Sequence, residues 1–348
     1  MASPAAQRVI AHTMLKLPAP ILRLMAGGGV VYVGGRTLDP RIQFLAAQAK
    51  GAPRMETLTP EQARAANDAG VALVTGAPEA GVRSESLTIP GPGGPIPARA
   101  YRADTQDPAA PLMVWAHMGG GVIGGLETSH VFCSILAKCA RGPILSIDYR
   151  LAPEHRFPAG LEDVLAAYRW ARDNTERFGA PKGLVSAGGD SMGGGFAAIV
   201  AQEMKRKGEP QPALQLLVYP AVDVACQSAS MTTYGEAYPL SRSLMDWFMG
   251  LYMGPQDNPA DPRLSPLAEK DLSGLAPAVV VTAGFDPLLD QGEAYARNLK
   301  AAGVPVLYRC YDGLSHGFTA FTGAVPAADV ACREIAGLVR EGFEGRIA

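Results

Sequence analysis

The sequence is poor in the features that mark a secreted scaffold or a nucleic-acid partner. Its 348 residues include only five cysteines and 18% charged residues, and the formal net charge is −2. The cysteines are odd in number and scattered without a CxxC pair, which argues against a disulfide framework and favours a cytoplasmic protein. Because no block of like charge is present, we expect no nucleic-acid partner.

Long apolar runs are also missing. None reaches the roughly 18 residues that a membrane span needs, so we expect no stable membrane insertion. The stretch LPAPILRLMAGGGVVYV near the N-terminus is apolar, but prolines, glycines and Arg23 interrupt it. Since it has no basic start followed by a compact apolar core, we interpret it as a helical lid or a surface-active arm rather than a signal peptide.

From about residue 84, short β-rich runs alternate with helical patterns. Strands that alternate with helices predict an α/β fold with a mainly parallel sheet covered on both faces. The turn-rich stretch GPGGP between the first two runs predicts a hairpin. The predicted strands are Ser84–Pro90, Ile96–Arg102, Leu112–His117, Ile144–Tyr149, Leu184–Ala187, Leu214–Tyr219, Ala278–Ala283 and Val306–Tyr311.

Two segments fall outside this alternation. Residues 1–50 read as helical and then irregular, and residues 224–262 contain YPLSRSLMDWFMGLYMG, an amphipathic pattern rich in aromatic residues and methionine. We predict that they form a helical cap over a catalytic domain made of residues 51–223 and 263–348. Such a cap would cover the carboxyl ends of the strands, where open α/β sheets bind ligands.

The stretch SAGGDSMGGG contains the pattern G-x-S-x-G, with Ser191 at its centre. It lies between a strand-like and a helix-like segment, which is the context of a nucleophilic serine on a tight turn. A glycine-rich phosphate loop is the alternative. A Walker loop would end in Gly-Lys-Ser/Thr, which is absent, and a dinucleotide loop would follow the first strand.

A serine hydroxyl needs a general base that is oriented by an acid. Of the five histidines, His316 follows the last predicted strand, as the base of a doubly wound hydrolase does. Asp286 directly follows the strand before it and is the favoured acid. Asp290, within the next helical pattern, and Asp223, after an earlier strand, are the alternatives.

Several longer stretches together resemble the hormone-sensitive-lipase-like family of α/β-hydrolases, which includes many bacterial carboxylesterases. The resemblance implies an α/β-hydrolase fold with an eight-stranded, mostly parallel sheet and a helical cap, no metal and no cofactor. It also implies a possible homodimer and the roles of Ser191 as nucleophile, Asp286 as acid and His316 as base. The matching stretches are HMGGGVIGGLETSH, SIDYRLAPEHRFPAGLEDV, GGDSMGGG, YPLSRSLMDWFMGLYM, DPRLSPLA, DLSGLAPAVVVTAGFDPLLDQGEAYARNLKAAGVPV and GLSHGF.

The chain departs from the family at three positions around the expected site. The family reads His-Gly-Gly-Gly and then a bulky aromatic residue, whereas this chain has Met118 at the first glycine and Gly121 at the aromatic position. Met192 replaces the alanine that usually follows the serine. No backbone N–H is lost, so Gly119, Gly120 and Met192 are the expected oxyanion hole. We expect the methionines to refill the space of the lost aromatic ring.

The resemblance implies a serine carboxylesterase that hydrolyses small-molecule, short-chain esters through an acyl-enzyme. Trp247 and Phe248 are expected in the cap, either in its core or on the substrate wall. A lipase that acts on longer acyl chains is the closest alternative. A non-catalytic ligand-binding receptor on the same scaffold is less favoured, because such relatives usually lack the histidine.

Overall fold

The computed structural model describes residues 4–347. A short hairpin, β1 (Tyr32–Val33) and β2 (Arg36–Thr37), precedes a large sheet. The strands of this sheet are β3 Val82–Gly91, β4 Gly94–Ala103, β5 Leu112–Ala116, β6 Ile144–Ile147, β7 Val185–Asp190, β8 Gln215–Val218, β9 Ala278–Phe285 and β10 Val306–Ser315. Within the described residues, the predicted eight strands are thus confirmed, with small changes at their ends.

The eight-stranded sheet has the spatial order β10-β9-β8-β7-β5-β6-β4-β3. The six strands from β10 to β6 run parallel, and the β3–β4 hairpin adds the antiparallel edge. The predicted mostly parallel sheet is confirmed. The strand predicted at Leu184–Ala187 continues to Asp190, because its glycine-rich end pairs with β8 despite a low β-propensity.

Helices cover both faces of this sheet. Along β5, Leu112, Val114 and Ala116 lie in the apolar core on one face of the sheet, while Met113 and Trp115 lie in the apolar core on the other face. The helices are α1 Pro4–Leu15, α2 Ala19–Met25, α3 Pro40–Ala49, α4 Pro60–Val74, α5 His130–Cys139, α6 Ala159–Asp173, α7 Met192–Lys207, α8 Ala229–Thr233, α9 Arg242–Tyr252, α10 Leu289–Ala301 and α11 Pro326–Phe343.

The amphipathic segment between β8 and β9 forms α9, as its pattern predicts. Ser241 caps this helix by accepting a hydrogen bond from the backbone N–H of Leu244. Leu244, Phe248 and Tyr252, spaced four residues apart, form its buried face. This spacing turns one stripe of α9 toward the protein and leaves the neighbouring positions half-exposed.

The turn between β7 and α7 is the tightest point of the fold. Ser191 has φ 55° and ψ −118°, a backbone conformation that side chains other than glycine rarely adopt. A Cβ atom on Gly193 would overlap the carbonyl oxygen of Ala116 at the end of β5, and one on Gly189 would overlap the backbone of Gly193. Glycine is therefore required on both sides of the serine.

We expect Gly193→Ala to destabilise the fold by at least about 2 kcal/mol, because the added methyl group overlaps fixed backbone atoms rather than a movable side chain. The matched control is Gly337→Ala on α11, where a Cβ atom meets nothing within 4 Å. That control should stabilise the helix by roughly 0.5–1 kcal/mol. Urea unfolding of both variants measures the difference, and equal midpoints would contradict the packing argument.

Candidate active site

Three predicted residues meet at the carboxyl ends of three strands. Ser191 follows β7, Asp286 follows β9 and His316 follows β10. Nδ1 of His316 lies 2.8 Å from Oδ2 of Asp286, and Nε2 lies 2.9 Å from Oγ of Ser191. A carboxylate only accepts, so the Nδ1–H group donates to Asp286 and leaves Nε2 free to accept the serine proton. All three side chains are buried.

The alternative acids lie elsewhere. Asp290 sits in the first turn of α10 and accepts a hydrogen bond from the backbone N–H of Ser230 at 2.8 Å. Asp223 accepts one from the backbone N–H of Ala225 at 3.0 Å. Asp290 therefore binds the start of α8 and Asp223 binds its own turn, while Asp286 contacts His316. The three residues occur in the sequence in the order Ser191, Asp286, His316. In the structure they form one hydrogen-bonded chain, with His316 between the other two.

His117, at the start of the glycine cluster, fixes the turn rather than facing the serine. Its Nδ1–H group donates to the carbonyl oxygen of Met118 at 2.7 Å, and its ring stacks on Tyr149 with centroids 4.3 Å apart. The hydroxyl of Tyr149 donates to the His117 carbonyl oxygen at 2.8 Å. Complete burial lowers the pKa of His117 to about 4, so its ring is neutral near pH 7.

The glycines after His117 allow three successive left-handed residues. Gly119, Gly120 and Gly121 have φ values of 125°, 62° and 74°. The ring of Phe248 packs directly on Gly120, where a Cβ atom would come within 2.6 Å of its Cδ2 atom. The Tyr252 ring occupies the corresponding space at Gly121, at 2.7 Å. The loop therefore needs glycine both for its backbone conformation and for the approach of α9.

The position of Met192 leaves its backbone N–H available. Met192 is the first residue of α7, and the first amides of a helix have no acceptor within that helix. By contrast, the N–H of Ser191 donates to the carbonyl oxygen of Val218 at 2.9 Å. Of these two neighbouring amides, Met192 is the one that can bind an oxyanion at the start of the helix.

A cavity of about 1290 Å³ opens above these residues. It contains Ser191, His316 and the predicted Met118, Gly119, Gly120, Met192 and Phe248 in its lining. Its walls come from both segments of the predicted cap and also from α4, which lies outside the predicted cap.

Two predicted pocket residues are not among those that line the cavity. Trp247 is half-exposed, since it lies next to the inward-facing Phe248 on α9 and its ring packs against that of Phe248 with centroids 5.5 Å apart. Gly121 does not line the cavity, and the ring of Tyr252 occupies the space that a Cβ atom on it would need. The space of the family's aromatic residue is thus filled by Tyr252 from α9 as well as by Met192, whose methyl group lies within 3.5 Å of a Gly121 Cβ position.

Arg64 on α4 holds the glycine loop from outside and was not predicted. Its guanidinium donates to the carbonyl oxygens of Val122 and Ala152, each at 2.9 Å. Glu154 completes the arrangement through a salt bridge of 2.6 Å. Arg64 and Glu154 are 90 residues apart in the chain, and sequence spacing gives no signal for such a pair.

Asp190 is a buried carboxylate directly behind the site. Its Oδ2 atom accepts hydrogen bonds from the hydroxyls of Tyr219, at 3.1 Å, and Thr319, at 3.0 Å. The Tyr219 ring in turn lies 4.7 Å from that of His316. Asp190 thus joins the serine turn to the loop after β8 and to the segment after His316. Burial raises the pKa of Asp190 to about 6.

We expect Asp190→Asn to change the pH dependence of stability. A raised pKa means that the folded state binds more protons than the unfolded state between pH 3.8 and about 6, so the wild-type contribution falls as pH rises through this window. Asparagine does not titrate. The free energy of unfolding of the variant minus that of the wild type should therefore rise by roughly 2 kcal/mol between pH 4 and 7.

Chemical denaturation of both proteins across this pH range measures that difference, in which the other titrating groups cancel. A difference that stays constant, or that falls with pH, would show that the folded protein does not raise the pKa of Asp190.

Within residues 4–347, no group of three or more His, Cys, Asp or Glu side chains is arranged to hold a metal ion.

This sheet order and this serine turn are those of the α/β-hydrolase fold, whose family model matches residues 113–320. The chain belongs to the hormone-sensitive-lipase-like family of α/β-hydrolases. It is 42% identical over 310 residues to the carboxylic ester hydrolase LipN of Mycobacterium tuberculosis, covering 87% of this chain and 82% of LipN.

Two further comparisons extend the similarity. The chain is 36% identical to an ethyl acetate hydrolase of Pseudomonas putida, over 79% of this chain and 88% of that protein. The crystal structure of an α/β-hydrolase enzyme from the metagenome of Lake Arreo, Spain, is 40% identical, with a TM-score of 0.85. That similarity covers 88% of this chain and 99% of the solved one.

Proposed function

We propose that the protein is a serine carboxylesterase that hydrolyses short-chain carboxylic esters through an acyl-enzyme. The observation that carries this proposal is the hydrogen-bonded chain from Ser191 through His316 to Asp286, placed in the wall of a large cavity. Relatives that are named ester hydrolases support it. The complete set of three residues argues against a non-catalytic receptor.

In the first half-reaction, the hydroxyl of Ser191 attacks the ester carbonyl carbon while Nε2 of His316 accepts its proton. Asp286 stabilises the resulting imidazolium through the Nδ1–H hydrogen bond. Collapse of the tetrahedral intermediate breaks the bond to the alcohol oxygen, which takes the proton from His316. Water then attacks the acyl-enzyme by the same route and restores the free serine.

The backbone N–H groups of Gly119, Gly120 and Met192 are proposed to bind the oxyanion of both tetrahedral intermediates. The left-handed glycine loop and the start of α7 lie on the cavity wall beside Ser191, which supports this assignment. Such preorganised donors contribute about 3–4 kcal/mol each in the transition state. Met118 and Phe248 would then shape the space next to the reacting carbonyl.

Residues 1–50 and 224–262, together with α4, are proposed to act as a cap that excludes bulk water from the acyl-enzyme. Their contribution to the cavity walls supports this role. A possible homodimer through the edge strand β10 and a cytoplasmic location stay predictions. The position of β10 at the edge of the sheet supports the homodimer. The five free cysteines support the cytoplasmic location.

Ser191→Ala should lower kcat/KM for p-nitrophenyl acetate at least about a thousandfold, because no other group can form the acyl-enzyme. The matched control is Ser186→Ala on the same strand, whose buried hydroxyl has no hydrogen-bond partner among residues 4–347. Circular dichroism should show both variants folded. Substantial turnover by Ser191→Ala, or loss of activity in the control alone, would refute the assignment.

A lipase that acts on longer chains is the second candidate, and the cavity volume favours testing it. At about 1290 Å³ the cavity exceeds the roughly 300–1,000 Å³ of ordinary ligand pockets, so an acetyl group would fill little of it. A p-nitrophenyl ester series from acetate to palmitate decides between the two candidates. The esterase proposal predicts the highest kcat/KM below about ten acyl carbons, whereas a maximum at longer chains would establish the lipase.

A further inference from the structure

The helix α2 exposes apolar side chains where a surface helix ordinarily carries polar ones. Ile21, Leu24 and Met25, spaced i, i+3 and i+4, lie on one face of this helix and are 43%, 75% and 42% exposed. Leu22 is fully buried and provides the contact with the protein. The helix therefore has apolar residues on its solvent side, although the exposure of apolar side chains to water is unfavourable.

Two more exposed apolar residues follow this helix along the chain. Val30 and Tyr32 are 55% and 66% exposed. We call the five residues together the N-terminal apolar face: Ile21, Leu24, Met25, Val30 and Tyr32. Of the nine large hydrophobic side chains that are exposed in the described residues, seven lie between residues 9 and 32. Scattered apolar residues are ordinary on protein surfaces, but concentration in one segment marks an interaction site.

The charge of the segment selects the kind of partner. The first 38 residues contain no aspartate or glutamate, whereas they include Arg8, Lys16, Arg23 and Arg36. Arg36 is paired with Asp312, and the guanidinium of Arg8 donates to backbone carbonyl oxygens. A segment that combines exposed apolar side chains with cations and has no acidic residue fits a partner surface that presents both hydrocarbon and negative charge.

The apolar face adjoins the wall of the cavity. Ala26, Gly28 and Val31, which lie between its members along the chain, line the same cavity as Ser191. A partner bound to this face therefore lies next to the cavity that contains the serine. Among residues 4–347 no helix is long and apolar enough to cross a membrane.

We propose that the N-terminal apolar face docks the protein on an anionic lipid bilayer and that esters dissolved in that bilayer enter the cavity from it. The docking step is independent of the proposed esterase activity, and only the delivery of the ester rests on it. A second copy of the chain fits less well. A symmetric dimer through this face would bring the same cations together with no acidic residue of the segment to pair with them.

The experiment is cosedimentation of the full chain with vesicles of phosphatidylcholine, with and without phosphatidylglycerol. The wild type should sediment with the anionic vesicles, and added salt should weaken the binding. Leu24→Glu should lower the partition coefficient at least about tenfold, because it places a carboxylate at the most exposed apolar position. Val330→Glu is the matched control, since Val330 is 55% exposed on α11, away from this segment.

Two activity measurements accompany the binding data. Leu24 lies outside the cavity lining, so Leu24→Glu should lose more activity on a long-chain ester dissolved in anionic vesicles than on p-nitrophenyl acetate in solution. Ser191→Ala should bind the vesicles as the wild type does. Binding by that variant without turnover separates the docking proposal from the catalytic one.

Three outcomes would overturn the proposal. The wild type could remain in the supernatant with anionic vesicles, or Leu24→Glu and Val330→Glu could sediment equally well. Alternatively, light scattering could show a wild-type dimer that Leu24→Glu converts to a monomer, which would assign the face to a second copy of the chain.

Discussion

The close approach between the serine turn and the end of β5 is the constraint on which the site depends. A Cβ atom on Gly193 would overlap the carbonyl oxygen of Ala116 and come within 2.9 Å of that of His117. This contact places the start of the glycine loop directly beside Ser191. The nucleophile and the expected oxyanion donors are thus positioned by one backbone contact between the start of α7 and the end of β5.

Several polar side chains maintain this arrangement through specific contacts. Neutral His117 is stacked on Tyr149 and fixes the first residue of the loop, while Arg64 holds the loop from the cap side. Asp190 accepts hydrogen bonds from two hydroxyls behind His316. Burial disfavours the charged form of a carboxyl group, and this raises the pKa of Asp190. The site therefore combines a strained turn with a costly buried charge, as functional sites often do.

The sequence predicted the sheet because buried parallel strands leave continuous apolar runs between amphipathic helices. It also predicted Ser191, Asp286 and His316, since each follows a recognisable strand. It did not separate Phe248 from Trp247, because both fit an amphipathic helix and only the packing of α9 on Gly120 decides which one faces the cavity. Arg64 could not be predicted either, since its contacts join segments that are distant in sequence.

The N-terminal segment illustrates how one sequence can satisfy two interpretations. Its irregular apolar pattern suggested either a lid or a surface-active arm, and the geometry makes the two compatible. Leu22 is buried and Ala26 and Val31 line the cavity, whereas Leu24 and Tyr32 face solvent. A segment that closes a cavity with one side and exposes apolar groups on the other is apolar throughout. Periodicity alone therefore could not assign its two sides, because neither side is polar.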